Sequence, residues 1–356
     1  MNLSVSLLSN NSETFPITYF SFLYKFVAIS TILPVLLTGI PSNVLVIILF
    51  LLVKSLRSST NCYLISLAVS NVLFLCSVSV PFMAEILSIP DHWNLDYVGC
   101  SMVVFMQYLG ITGSIVSILL ASAEKWLQIC WRVNFRWIGN LQTAIRFIIF
   151  GWIFTITYSG SWIFLTTLKM TNVADGTIIF HCSFRYEKIY YKLVHLADLI
   201  IFYSLPFVIL LFCHGNIVIV LKRKSLPQFV KYSYKFKSVE SGTARIKSKK
   251  IKIISIITIF YLLTWFPYRV LLVYNAFVEN ANMDLWYILF VRYLVFINSA
   301  ANPIIYNVMS SKFRQSFRKA VFFCGNKNNE IQKFSALRLS KIQNVSYYTY
   351  SCSSLK

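Results

Sequence analysis

Long apolar stretches alternate with tight clusters of charge along most of the chain. Windows free of charge run from Lys25 to Lys54, Arg57 to Glu85, Asp96 to Glu124, Arg146 to Lys169 and Asp198 to Lys222. Each is about 20 residues or longer, enough for a helix to cross the hydrocarbon of a bilayer. Two further windows, Ile253 to Val278 and Leu285 to Ser311, carry one charge each, Arg269 and Arg292. The pattern predicts an all-α membrane protein built as a seven-helix transmembrane bundle. A guanidinium facing lipid is costly, so both arginines are expected to face the bundle interior or its watery mouth.

Composition supports this reading. Of the 356 residues 57% are hydrophobic and 13% charged, against about 25% charged in a typical soluble domain. Aromatic residues make up 17% of the chain and its eight Cys are thinly spread, which excludes disordered and disulfide-stapled classes. The net charge of +21 does not indicate a nucleic-acid partner, because its basic residues lie between apolar windows. Their placement instead sets orientation, since Lys and Arg are retained on the cytoplasmic side. With the amino terminus outside, 25 of the 33 fall on inner segments, and Lys25, Lys169, Arg185, Lys188 and Lys192 remain outside.

The chain is expected to divide into an extracellular segment 1–25, the membrane domain 26–311, an amphipathic helix 312–324 and a disordered cytoplasmic tail 325–356. No basic start followed by an apolar run precedes the first span, which is therefore expected to initiate insertion itself. Asn2 and Asn10 begin sequons on the outer side and are candidate glycosylation sites. Cys100 and Cys182 are the two cysteines expected on the outer face, where oxidising conditions favour a bridge. In KFRQSFRKAVF, Phe313, Phe317 and Val321 share one helical face, as in a helix lying on the inner leaflet. Cys324 follows it as a candidate for palmitoylation. The basic loop from Lys222 to Lys250 suits anionic lipid or a complementary protein surface.

Spaced motifs then point to a family. SNVLV with Asn43, SLAVSN ending at Asn71, Cys100, Trp152, TWFP at Thr264–Pro267 and NSAANPIIY at Asn298–Tyr306 resemble, in order, the rhodopsin-class G-protein-coupled receptors. The resemblance covers about Asn43 to Cys324. Within that class CYLISLAVSN, YVGC, QYLGI, FPYR and INSAANPIIYNVMSSKFRQSFRK resemble the thyrotropin-releasing hormone receptors. The resemblance implies a plasma-membrane, multi-pass receptor for a short peptide agonist. It further implies a heterotrimeric G protein of the Gq class, phospholipase C and calcium, with arrestin and receptor kinases as possible partners. Carried over residue by residue, it implies a ligand site of Gln107, Tyr108, Thr112, Tyr268, Arg269 and Arg292, with Thr112 standing where the family has Asn.

The residue types agree with that site. Gln107, Tyr108, Tyr268 and Arg292 offer donors to carbonyls and carboxylates, and the third span has no carboxylate near Gln107 for an amine. For activation and coupling the resemblance singles out Asn71, Glu124, Lys125, Trp126, His214, Trp265, Pro267, Asn298, Asn302, Pro303 and Tyr306. Three departures affect signalling. Lys125 replaces an Arg and lacks its planar fork; Asn71 replaces the sodium-binding Asp; and His214 replaces a Tyr that helps hold the active state.

Other classes fit less well. A transporter would carry internal repeats and several acids at the membrane centre. Glu85 and Asp198 fall near outer span ends and Glu124 near an inner one. No retinal-bearing Lys lies in the last span. His92, His181, His195 and His214 form no metal-spaced cluster, so no enzyme, cofactor or metal is expected. Within receptors, a different neuropeptide and another G protein remain the alternative.

Overall fold

The computed structural model describes residues 20–53, 56–87, 93, 95–131, 139–172, 178–186, 188–225, 237–278, 284–309, 313–315 and 317. Helices α1 (Phe22–Leu52), α2 (Ser59–Leu87), α3 (Tyr97–Ile129) and α4 (Leu141–Leu165) are followed by strands β1 (Thr166–Asn172) and β2 (Ile178–Phe184). Next come α5 (Lys188–Leu199), a π-helical turn (Ile200–Ser204), α6 (Leu205–Ser225), α7 (Lys237–Phe277) and α8 (Leu285–Met309). Seven spans are long and apolar enough to cross a membrane, the fifth combining α5, the π turn and α6.

Three span boundaries differ from those drawn between charges. The fifth span begins at Lys188, nearly three turns before Asp198, so Asp198 is an interior residue and not an outer boundary. Helix α3 runs through Glu124 and Lys125 to Ile129. Helix α7 begins at Lys237, well before Ile253, because the Lys, Arg and Ala residues of the basic segment are good helix formers. The antiparallel β1–β2 hairpin, pairing Thr166 with Phe184 through Asn172 with Ile178, is an addition that apolar windows do not report.

Packing is inverted relative to a soluble protein. Phe150, Ile153, Phe154, Leu211, Phe212, Ile259 and Leu263 are exposed on the perimeter, whereas Asn43, Asn71, Thr112, Ser114, Asn298 and Asn302 are buried. Hydrocarbon solvates the apolar faces, so small residues and interhelical hydrogen bonds hold the helices together. Gly110 shows how close they approach: a Cβ there would lie 2.7 Å from the backbone nitrogen of Phe74.

Pro303 cannot donate to the Ser299 carbonyl one turn before it, and the Asn43 amide of α1 supplies that hydrogen bond at 3.0 Å. The Tyr203 hydroxyl donates to the Leu262 carbonyl at 3.0 Å and ties the fifth span to α7 about one turn before Pro267. Helix α8 accommodates its proline because a side chain from a neighbouring span satisfies the freed carbonyl.

Residues 310–356 form a separate unit. Within it, 313–315 and 317 are helical, and the rest of the expected amphipathic helix lies outside the described residues. Cys324, the tail, Asn2 and Asn10 lie outside the described residues.

Candidate functional site

The hairpin end of the bundle holds a polar cluster built from five spans. Asp198 on α5 and Arg269 on α7 form an ion pair, with side chains 1% and 3% exposed. The Tyr158 hydroxyl of α4 donates to the other oxygen of Asp198 at 2.9 Å. The Arg269 guanidinium lies 5.6 Å from the Trp265 ring centroid. Two buried charges would each cost several kcal/mol alone, so pairing and added hydrogen bonds are conditions for their burial.

An aromatic wall surrounds this pair. Tyr108 of α3 stacks on Trp162 of α4 at 3.6 Å with an interplanar angle of 12°. Trp162 lies 5.7 Å from His195 of α5, which sits one turn before Asp198 and 4.1 Å from Tyr191. Tyr268 meets Trp265 edge to face at 5.9 Å. Tyr268 also lies near Tyr191, Asp198, Arg269 and Arg292, and Tyr108 near Asp198 and Tyr268.

The residues read from the sequence thus divide. Tyr108, Tyr268, Arg269 and Arg292 gather in this cluster, and Gln107 is buried beside Tyr108 in the chain. The Thr112 hydroxyl donates to the Tyr108 carbonyl at 2.7 Å and meets Ser159 at 3.1 Å, tying α3 to α4. Arg269 is occupied by Asp198. Sequence reasoning missed Asp198, Tyr158, Trp162, His195 and Tyr191. Pairing the in-span Arg269 with an acid would have found Asp198, had α5 been started at Lys188.

At the hairpin end, the Cys100–Cys182 disulfide joins α3 to β2 with a Cα–Cα distance of 5.5 Å. The backbone of Trp93 donates to Phe180 at 2.7 Å, and the bridge packs with Trp93 as a small core. Arg185 donates to the Tyr97 hydroxyl and to the Thr166 carbonyl, anchoring the hairpin's base. Partial burial lowers the pKa of the Lys169 ammonium on β1.

The middle of the bundle is a network of neutral amides and hydroxyls. Asn71 donates to Asn43 at 3.4 Å and accepts from Ser114 at 3.3 Å. Asn298 donates to Thr264 at 2.8 Å and accepts from Trp265 at 3.3 Å, while Asn302 donates to the Asn298 carbonyl at 3.2 Å. Tyr306 is buried on the same helix beyond Pro303. No formal negative charge reaches this network among the described residues, and a hard cation prefers one. Exchanging sodium for a large organic cation at constant ionic strength is therefore expected to leave the unfolding temperature nearly unchanged. Asn71→Asp should introduce sodium sensitivity. A clear sodium effect on thermal unfolding of the native chain, beyond that of the organic cation, would contradict this.

At the opposite end, Glu124 accepts from Ser59 of α2, from Gln128 at 3.0 Å and from Lys125 at 2.9 Å. Lys125 also donates to Gln128 at 3.1 Å, so its ammonium is held along its own helix. Trp126 packs against Trp131 and Phe212. His214 lies deeper, among hydroxyls of α3 and α7.

Comparison with known proteins bears on this geometry. Residues 42–306 match the 7 transmembrane receptor (rhodopsin family). The chain is 32% identical over 349 residues to the thyrotropin-releasing hormone receptor of Homo sapiens, covering 93% of this chain and 86% of that receptor. The Bos taurus thyrotropin-releasing hormone receptor is 31% identical over 341 residues, covering 91% and 84%. A RYamide receptor of Tribolium castaneum is 26% identical over 363 residues, covering 98% and 94%.

Proposed function

The chain belongs to the rhodopsin family of seven-transmembrane receptors, and from that premise we propose that it is a plasma-membrane receptor for a short neuropeptide resembling thyrotropin-releasing hormone. It is a receptor and not an enzyme. The observation that carries the ligand class is the state of Asp198. Among the described residues the buried acids are Glu124, at the opposite end, and Asp198. Asp198 is already paired with Arg269 and Tyr158, which leaves it poorly placed to receive a ligand amine. The surrounding Tyr108, Tyr268 and Arg292 supply donors for amide carbonyls, suiting a small blocked peptide without a free amino group.

The hairpin end faces outside in this reading, consistent with the distribution of Lys and Arg. Peptide binding favours the bundle conformation whose inner face accepts a G protein, a population shift and not a reaction. The Gq class with phospholipase C and calcium is the proposed coupling. The basic loop and tail helix would contact G protein and inner-leaflet lipid, and a kinase-phosphorylated tail would recruit arrestin. Thr112, engaged with Ser159 where the resembling receptors have Asn, favours a peptide distinct from thyrotropin-releasing hormone itself.

Arg292 provides the test. A panel of short amidated peptides, thyrotropin-releasing hormone included, is applied to cells expressing the chain, with calcium and cyclic AMP as readouts. For the peptide that activates, Arg292→Ala is expected to weaken potency by about 1.5 to 3 kcal/mol, roughly tenfold to a hundredfold, with surface expression retained. Arg292→Lys should restore part, because a point charge cannot reproduce the planar fork. Unchanged potency in both variants would assign Arg292 a structural role. A cyclic AMP response without calcium would replace Gq with another G protein.

A further inference from the structure

The imidazole of His214 joins three spans. Its Nε2 is hydrogen-bonded to Ser122 of α3 at 3.2 Å and to Thr258 of α7 at 3.2 Å. Its Nδ1 is hydrogen-bonded to Ser255 of α7, one turn away from Thr258, at 3.0 Å. Both nitrogens are engaged, and Ser122 and Thr258 are buried. Buried apolar side chains flank the junction, with Leu210 and Ile217 on α6 and Ile254 and Ile257 on α7.

We propose that His214 is a latch that holds the opposite end of the bundle closed, by fastening the Ser255–Thr258 turn of span six to spans three and five. By resemblance His214 replaces a Tyr that supports the active state; its bonds here point to the reverse role. A single hydroxyl at this position could not fill both nitrogen positions, whereas the flat ring presents one polar atom to the Ser122–Thr258 side and another to Ser255. Withdrawal of this part of α7 from α3 and α6 breaks the bonds to Thr258 and Ser255 together, while the His214–Ser122 bond stays between α3 and α6. Pro267 lies about two and a half turns beyond Thr258 and interrupts the helical hydrogen bonds, so the latched half can swing while the Arg269 half stays packed. Removing the latch should shift the closed-to-open ratio by roughly tenfold, which is about 1.4 kcal/mol.

The consequence for signalling rests on the proposed receptor function, but the latch itself can be measured without ligand or G protein. Backbone hydrogen–deuterium exchange is followed for the full chain in lipid nanodiscs, comparing residues 251–260 with residues 268–276. His214→Phe, and separately Ser255→Ala with Thr258→Val, should accelerate exchange roughly tenfold in 251–260 and leave 268–276 unchanged. His214→Gln, which keeps a donor and an acceptor, should fall between. Unchanged exchange in 251–260 would overturn the latch, as would equal acceleration of both segments, which marks general destabilisation. Exchange in His214→Gln as fast as in His214→Phe would remove the hydrogen-bond basis. Resting nucleotide exchange on a purified Gq-class heterotrimer is read in parallel. A rise in His214→Phe supports latch and coupling together; accelerated hydrogen exchange without that rise keeps the latch and rejects the Gq reading.

Discussion

Asp198→Asn alone is expected to damage the receptor more than Asp198→Asn combined with Arg269→Gln. The single change leaves the Arg269 guanidinium buried without its counter-charge, at a side-chain exposure of 3%. Breaking one member of a buried pair typically costs about 3 to 5 kcal/mol, whereas neutralising both removes the unpaired charge as well as the attraction. Asn can still accept from Tyr158, so a hydrogen-bond loss alone would predict a small effect of about 1 kcal/mol, the size expected for Tyr158→Phe. Surface yield on intact cells and thermal unfolding of the purified receptor both read this difference. Equal loss in the single and double variants would show that the pair is not held as a buried unit.

The same pair marks the boundary of what the sequence discloses. Seven spans are legible because the bilayer demands about 20 apolar residues each, a signal carried by composition alone. The interior placement of Arg269 is legible too, because lipid excludes a guanidinium. Its partner is hidden, since counting between charges takes Asp198 as the edge of its window. Asp198 lies nearly three turns inside a helix that starts at Lys188. Tyr158, Trp162, Tyr191 and His195 are missed for a related reason. In a span with lipid on one side and protein on the other, aromatic residues suit both surroundings, so residue type does not report which way they point. Phe150 and Phe154 face outward on the helix that places Trp162 within the site.

Polar positions behave differently. Asn43 and Pro303 are visible as motif residues, and Pro303 announces a carbonyl in need of a donor. That Asn43, 256 residues away in sequence, supplies it emerges only from the packing of α1 on α8. Thr112 is the converse case. A resemblance carries it into a ligand site by position, and its hydroxyl bonds between α3 and α4 emerge only from the packing. The β1–β2 hairpin is illegible to a search for long apolar windows because each strand is only seven residues long.

Removing the Cys100–Cys182 bridge is the remaining change expected to have a large effect, and its cost should divide between stability and ligand binding. The bridge closes a loop across a sequence separation of 82 residues that contains most of α3, all of α4 and the hairpin. Constraint of the unfolded chain by a loop of that length corresponds to about 4 to 5 kcal/mol in the entropic treatment, with measured losses for native bridges of about 2 to 5. The hairpin has further anchors: Trp93 bonds Phe180, and Arg185 bonds Tyr97 and Thr166. Cys100→Ser with Cys182→Ser should therefore lower unfolding stability strongly while leaving a fraction of molecules with the bundle assembled. In that fraction Tyr108 keeps its stack on Trp162, which depends on α3 and α4 and not on the bridge. Agonist affinity per folded receptor, measured against conformation-sensitive surface labelling, should fall less than total binding capacity. A loss of affinity with unchanged capacity and unchanged unfolding stability would place the bridge in ligand recognition rather than in the fold.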